Sequence, residues 1–206
     1  MPDVTGVLAI ADWRRQVFAL YAKVREISAS DPRTAHDLWR EERDKLFATH
    51  PATPVPAPER YGFRGLCVAE YDPAWRFDVV IEPPPEPRSL DVLTGTDGVV
   101  PFELLGHVEV PGVGFLGVWR ISSYGGGLFI PVKDALAGRP GGTYEGGRYA
   151  IDTIKGADLG PGATDDSIVL DFNFTYNPSC AYDPAWACPL APPDNVVTVD
   201  VPVGER

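Results

Sequence analysis

Glycine and proline divide this chain into many short segments. The 206 residues include 21 glycines and 22 prolines, about a fifth of the chain, where average proteins have roughly an eighth. No low-complexity run or repeat concentrates them, so they separate many short elements. Frequent turns between short elements are typical of β-rich folds, and the length suits one well-buried core. We therefore expect a single domain over residues 1–206.

The first fifty residues show helical periodicity instead. Apolar residues recur at steps of three and four between Ile10 and Ile27, which predicts an amphipathic helix. A second helix is expected to begin with Asp31 as N-cap and Pro32 in its first turn, and to end before Pro51. Because two helices alone do not bury their apolar stripes, we expect residues 1–50 to pack on a β-rich body, residues 60–206. A detachable helix pair that binds a partner is the alternative.

The rest of the chain is expected to form strands. Prolines in residues 51–59 predict an extended connector. The short apolar runs beyond it predict an α+β fold, with the two helices packed on a mainly antiparallel sheet that curls into a barrel or a sandwich. Residues 65–71 and 76–81 are expected to pair around a turn at residues 72–74. Further strands are predicted at 89–94, 102–110, 115–122, 127–132, 149–154, 167–172 and 196–201.

Charge excludes some classes of partner. The net charge is −11, and residues 146–206 contain three basic residues against nine acidic ones. No basic stripe offsets phosphates, so we expect neither a nucleic-acid partner nor binding to an anionic membrane. The first residues become charged too soon for a signal or spanning segment, and no later run approaches the apolar length that spans a bilayer.

The three cysteines indicate a reduced, cytoplasmic protein. Cys180 and Cys188 are most simply two buried thiols; a disulfide between them, or a reactive thiol, remains open. A reactive cysteine would need a base, and His107 is the most plausible histidine. No C-x-x-C or H-x-x-H spacing is present, so we expect no metal site. The sequence leaves the cofactor unknown and a homo-oligomer open.

Residues 146–193 contain the most unusual composition of the chain. Polar side chains alternate there with aromatic ones and are braced by prolines, which is more typical of a shaped site than of a solvated loop. The residues that stand out are Asp171, Asn173, Tyr176, Asn177, Cys180, Tyr182 and Cys188.

Arg148 is the most distinctive single residue. It follows two glycines in a segment with few other cations, and an arginine there calls for an anionic partner. We expect a bidentate pair with Asp171. Such a pair either pins two strands or leaves Arg148 to hold a substrate carboxylate or phosphate in a cleft.

Asp171, Asn173 and Asn177 have two interpretations. On a strand, Asp171 and Asn173 would point to the same face and line a pocket, and Asp171 would act as a general base if burial raised its pKa. Alternatively, these groups satisfy the turn before Pro178, because asparagine readily bonds its own backbone there.

Familiar catalytic motifs are missing. The glycine runs at residues 125–127 and 141–147 lack the G-K-[ST] sequence and the strand–helix context of a phosphate-binding loop. The G-x-S-x-G elbow of many serine hydrolases is also absent. Turns and bulges explain the glycines better.

Several motifs occur together in an order that resembles the DUF1684 family. They are LWREERDKLF, FRGL, DPAWRF, GLFIPVKDALAG, TYEGGRYAID, LDFNFTYNPSCAY and CPLAPPDN. The resemblance covers most of the chain and departs from the usual pattern at residues 137–142 and within CPLAPPDN. It implies bacterial and archaeal relatives without an assigned activity, so it supplies no mechanism.

The leading hypothesis is a small-molecule-binding protein, which as an enzyme would act on a small anionic metabolite by acid/base chemistry. Asp171 would be the acid/base and Arg148 would hold the anionic group. The remaining predicted binding residues are Tyr144, Asn173, Asn177, Cys180 and Tyr182. The alternative is a non-catalytic structural or interaction protein whose C-terminal motif is a folding clasp, with its polar groups buried against one another and no cavity.

Overall fold

The structure, a computed structural model, describes residues 3–94, 98–123 and 125–206. Both predicted long helices are present: α1 (Val4–Ser28) and α2 (Pro32–Thr49). Asp31 caps α2, accepting a 3.0 Å hydrogen bond from the backbone N–H of Thr34, and Pro32 opens the helix as expected. A short helix, α3 (Ala57–Arg60), interrupts the connector that was predicted to be extended.

The described strands form two antiparallel sheets. One has five strands in the order β2-β3-β4-β5-β6, and the other pairs β1 with β7. The strands are β1 (Arg76–Val80), β2 (Ser89–Thr94), β3 (Gly98–Val110), β4 (Gly114–Ile121), β5 (Leu128–Val132), β6 (Arg148–Asp152) and β7 (Ser167–Asp171).

Two strand predictions are wrong. Residues 65–71 form no strand, and β1 pairs instead with β7, Arg76 opposite Asp171. Residues 196–201 also lack a strand, and only an isolated bridge joins Lys133 to Val196. In both places local apolar runs suggested a strand, whereas tertiary pairing with a distant segment decided the outcome.

Both sheets contribute to one apolar core. It joins Val79 of β1 and Leu170 of β7 with Val108, Leu116 and Ile130 of the five-stranded sheet. The strands described form no closed barrel.

A second core attaches the helices to this body. Leu20 and Val24 of α1 pack with Trp39 of α2 and with Phe174, which follows β7. The expected packing of the helices on the sheets is therefore confirmed. Among the described helices, none combines the length and the apolar character needed to cross a membrane.

The C-terminal tail, residues 201–206, is built into the body. Val201, Val203 and Glu205 are buried. Gly204 between them has φ +77°, and a Cβ there would overlap the Thr175 hydroxyl. Only glycine fits this position without displacing its neighbours.

Candidate functional site

Arg148, the first residue of β6, is buried and holds the C-terminal tail. Its Nη2 donates to Oδ2 of Asp134 at 2.6 Å, and its guanidinium also donates to three main-chain carbonyls of the tail. These carbonyls belong to Val201, Val203 and Glu205. The predicted pair with Asp171 is wrong, because Asp134, in the loop after β5, is the carboxylate that meets Arg148.

Asp171 instead joins the loops around the end of β7. Its Oδ2 accepts hydrogen bonds from Arg76 at 3.1 Å and from the Tyr71 hydroxyl at 3.3 Å. Its Oδ1 accepts from the backbone N–H and the Nδ2 of Asn173, at 3.0 and 2.7 Å. Burial raises the pKa of Asp171, and the bonds from Asn173 and Arg76 oppose that shift. Both oxygens thus have protein partners, and an acid/base role stays a prediction.

Asn173 lies in a single 3-10 turn, Phe172–Phe174, capped by the Asp171 carboxylate. The strand has already ended, so the prediction that Asp171 and Asn173 share a strand face is wrong. Oδ1 of Asn173 accepts from the backbone N–H of Asp72, and its Nδ2 donates to the Asp72 carbonyl, each at 2.8 Å. This fully buried side chain fixes the entry to β1, and its role in binding stays a prediction.

His36 of α2 extends the same network. Its Nε2 lies 3.0 Å from the carbonyl of Asn173, which only accepts hydrogen bonds, so Nε2 carries the proton. The ring is fully buried among Trp39, Tyr71 and Phe174. Burial lowers the pKa of His36 to about 4. A charged imidazole is therefore excluded from this part of the fold at neutral pH.

Asn177 and Tyr182 meet a different carboxylate, that of Glu205. Oε2 accepts from the backbone N–H of Asn177 at 3.2 Å, and Oε1 accepts from its Nδ2 at 3.4 Å and from the Tyr182 hydroxyl. Nδ2 also donates to the carbonyl of Arg206 at 3.1 Å. Asn177 therefore binds the tail, whereas the alternative prediction had it bonding its own turn. Burial raises the pKa of Glu205.

Arg43 of α2 completes this second cluster. Its Nη2 donates to Oε2 of Glu205 at 2.9 Å. The guanidinium carbon lies 4.6 Å from the ring centroid of Trp39 and 5.2 Å from those of Phe47 and Tyr176. Such cation–π contacts stabilise a buried charge. Within the described part of the chain, Nη1 of Arg43 and Oδ1 of Asn177 are buried without a hydrogen-bond partner.

These two side chains line a cleft of about 170 Å³ between α1, the end of α2 and the segment that follows β7. Its lining includes three cations, Arg14, Arg43 and Lys155, and no aspartate or glutamate. Aromatic side chains supply much of the wall: Trp13, Tyr21, Phe47, Tyr176, Tyr182 and Trp186.

Of the seven predicted site residues, the cleft brings together only Asn177 and Tyr182. Arg148, Asp171 and Asn173 lie in the networks already described. Tyr144 and Cys180 form a separate contact, 3.6 Å from hydroxyl to Sγ.

The cysteines of this motif are free. Burial, chiefly, and the neighbouring Cys188 thiol raise the pKa of Cys180. The pKa of Tyr144 is also raised, to about 12, chiefly by burial. His107, the most plausible base, instead faces Asp194 with 3.8 Å between Nε2 and Oδ2. No group of three potential metal ligands is found among the described histidines, cysteines and acids.

Sequence reasoning missed Arg43 and Glu205. The signal for Arg43 was available, because it occupies a helix position four residues after Trp39 and four before Phe47, within an apolar stripe. A charged residue on the buried face of an amphipathic helix needs a partner. Glu205 gave no comparable signal, because a terminal acidic residue is ordinarily solvated.

The fold and the cleft define an α+β protein in which a helical pair and a C-terminal motif line a largely aromatic cleft that contains cationic side chains. The chain belongs to the DUF1684 family, described as a protein of unknown function, which matches residues 61–206. The helices that form one wall of the cleft precede the matched region.

A solved structure shows the same fold. It is a solution NMR structure of an uncharacterized protein from Haloarcula marismortui, 31% identical, with a TM-score of 0.60. The match covers 87% of this chain and 96% of that protein. Comparison with curated proteins gives no match.

Proposed function

We propose that this protein binds a small organic anion with an apolar body in the cleft between the N-terminal helices and the segment after β7. The observation that carries the proposal is the charge of the lining, which contains Arg14, Arg43 and Lys155 and no carboxylate. Glu205 pairs with Arg43 and Asp152 with Lys155 from behind the wall, and among the described residues Arg14 has no ion pair. The whole chain has a net charge of −11, so this local excess does not follow from composition. A cationic lining concentrates anions and is selective against cations.

The walls indicate the rest of the ligand. Aromatic side chains dominate the lining, and they bury apolar groups and stack on flat ones. Removing a phenyl-sized group from water contributes roughly 1.5–3 kcal/mol. An anion with an aromatic or branched aliphatic body therefore suits the cleft better than a fully hydrophilic metabolite.

A second role, the folding clasp, is supported for the residues of the motif that lie outside the cleft. Arg148, Asp171 and Asn173 are buried and bonded to protein groups. The two roles are compatible, because the clasp holds the tail while Glu205 of that tail supports Arg43 at the cleft.

We also propose an arrangement for the two sheets and a cellular location for the protein. The core shared by the two sheets supports a sandwich-like arrangement. Three free cysteines support a cytoplasmic location.

Titration calorimetry with a matched pair of probes tests the function. Hydrocinnamate is an aryl carboxylate, and phenylpropanol is its neutral alcohol with the same ring and chain. We expect hydrocinnamate to bind at least about tenfold more tightly, since the charge on the ligand is what the three cations recognise. The Arg43→Met variant is expected to lose most of this preference.

Lys23→Met is the control, because Lys23 is an exposed residue of α1 outside the cleft lining. It should leave both affinities unchanged within about twofold. Equal affinity of the parent for the acid and the alcohol, or binding of neither at millimolar concentration, would refute the proposal.

A further inference from the structure

Two buried polar atoms at the cleft have opposite hydrogen-bonding character. Nη1 of Arg43 is a donor and Oδ1 of Asn177 is an acceptor, and neither has a partner in the described part of the chain. Both side chains line the cleft, with these two atoms covered by neighbouring protein groups, so a ligand reaches them by a small shift of the side chains. Both also bind the carboxylate of Glu205, which places them side by side. Because unsatisfied buried polar atoms are costly, such a pair points to a ligand that completes it.

The orientation of the Asn177 amide is fixed by its surroundings. Nδ2 faces two acceptors, Oε1 of Glu205 at 3.4 Å and the carbonyl of Arg206 at 3.1 Å. Turning the amide over would place its oxygen against a carboxylate and a carbonyl, so the present assignment is the favourable one. A ligand group next to Asn177 must therefore donate a hydrogen bond.

The charge of the lining decides what kind of donor fits. An ammonium group would be repelled by Arg14, which among the described residues has no carboxylate to neutralise it, whereas Arg43 and Lys155 are paired with Glu205 and Asp152. A plain carboxylate would satisfy Arg43 but leave Oδ1 of Asn177 without a donor. An uncharged hydroxyl next to a carboxylate satisfies both atoms.

Building on the proposed function, we infer that the ligand belongs to the α-hydroxy acids with an aromatic or branched aliphatic side chain. Its carboxylate accepts from Nη1 of Arg43, and its hydroxyl donates to Oδ1 of Asn177. The apolar side chain lies among the aromatic walls, of which Trp13 and Tyr176 are members.

Calorimetry with phenyllactate, hydrocinnamate and phenylalanine tests the inference, because these probes share one ring and carboxylate and differ in the α substituent. We expect phenyllactate, as one of its enantiomers, to bind at least about fivefold more tightly than hydrocinnamate, the gain of one hydrogen bond. Phenylalanine, with its ammonium group, should bind more weakly than hydrocinnamate.

The Asn177→Ala variant should bind phenyllactate no more tightly than hydrocinnamate, whereas Lys23→Met, outside the cleft lining, should keep the parent's preference. The three-probe comparison on the parent decides the matter even if this variant does not fold. If phenyllactate shows no advantage over hydrocinnamate, the hydroxy-acid inference fails and the binding function stands. If none of the acids binds at millimolar concentration, both proposals fail.

Discussion

Two buried arginines hold the same C-terminal tail in different ways. Arg148 has a carboxylate and three tail carbonyls as partners. Arg43 has the single carboxylate of Glu205 and three aromatic rings, and its Nη1 has no hydrogen-bond partner among the described residues. Glu205 connects the two, because its carbonyl accepts from Arg148 and its carboxylate from Arg43.

The difference separates a structural role, that of Arg148, from the binding role proposed for Arg43. Where protein groups satisfy a buried charge, the arrangement stabilises one conformation and has nothing to offer a ligand. Where a donor remains and the side chain lines a cleft, a ligand finds an incomplete set of hydrogen bonds. The same residue type therefore indicates opposite functions, and its partners decide which one applies.

The largest expected effect is the loss of Arg148. Arg148→Met leaves the buried carboxylate of Asp134 without a cation, with donors only from the Leu136 N–H and the Thr143 hydroxyl, and it leaves three tail carbonyls without their donor. It should therefore lower the free energy of unfolding by about 3–5 kcal/mol. Asp134→Asn should also destabilise, and the double variant should lose clearly less than the sum of the two. Urea denaturation at neutral pH measures all three. A loss below about 1 kcal/mol for Arg148→Met would contradict the clasp.

Additivity provides the control. Asp171 binds Arg76 rather than Arg148. Combining Arg148→Met with Asp171→Asn should therefore give the sum of the single losses within about 0.5 kcal/mol. Arg139→Met, at an arginine whose side chain is 62% exposed, should change stability by less than about 0.5 kcal/mol.

His36 tests whether the buried network around Asp171 and Asn173 excludes a positive charge. Its pKa is about 4 in the folded protein against an ordinary 6.5. The unfolded chain therefore takes up a proton first, and stability should fall by about 3 kcal/mol as the pH drops from 6.5 to 4. This loss of stability is absent well above pH 6.5, the ordinary pKa of histidine in the unfolded chain.

His36→Gln should lack this contribution. Carboxyl groups such as Asp171 and Glu205, whose pKa values are raised by burial, contribute with the opposite sign. The informative quantity is thus the difference between parent and variant, measured by urea denaturation across this pH range. A difference that does not change with pH would show that His36 is accessible to protonation in the folded state.

The sequence was sufficient for the elements with local signals. The capped start of α2 and the runs that became β3 and β4 follow from side-chain periodicity and turn residues. The strands predicted at residues 65–71 and 196–201 were wrong because a run of apolar residues does not specify its partner strand. Long-range pairing decides which segments of this fold become strands. The 3-10 turn at Asn173 depends on the Asp171 carboxylate capping it, which periodicity does not register.

The candidate site was only half predictable for a related reason. Asn177 and Tyr182 stood out by composition, but the cleft they line needs α1 and α2, which are more than a hundred residues earlier in the chain. Arg148 was correctly recognised as requiring a carboxylate, and the wrong one was chosen. Asp134 lies in a loop, where sequence alone does not show which way a side chain points.

The comparison predicts a smaller stability loss at Arg43 than at Arg148. Arg43→Met leaves Glu205 with donors from Asn177 and Tyr182, so we expect a loss of about 2 kcal/mol at neutral pH. Without Arg43, the pKa of Glu205 rises further. The buried Glu205 carboxyl destabilises the variant only while it is ionised. The difference in stability between variant and parent should therefore shrink as the pH falls through the pKa of Glu205 in the folded variant. Urea denaturation at several pH values follows this, and a loss that is independent of pH would contradict it.

The smallest effect is expected at the thiols beside the cleft. Cys180 neighbours the cleft residue Ser179, and burial raises its pKa, so little reactive thiolate forms at neutral pH. Cys67 is exposed and should be alkylated by iodoacetamide at least about tenfold faster, as mass spectrometry of peptides would show. Cys180→Ala should lower stability by only about 1 kcal/mol, because it removes a small, partly buried side chain. Faster alkylation of Cys180 than of Cys67 would instead mark Cys180 as an activated thiol.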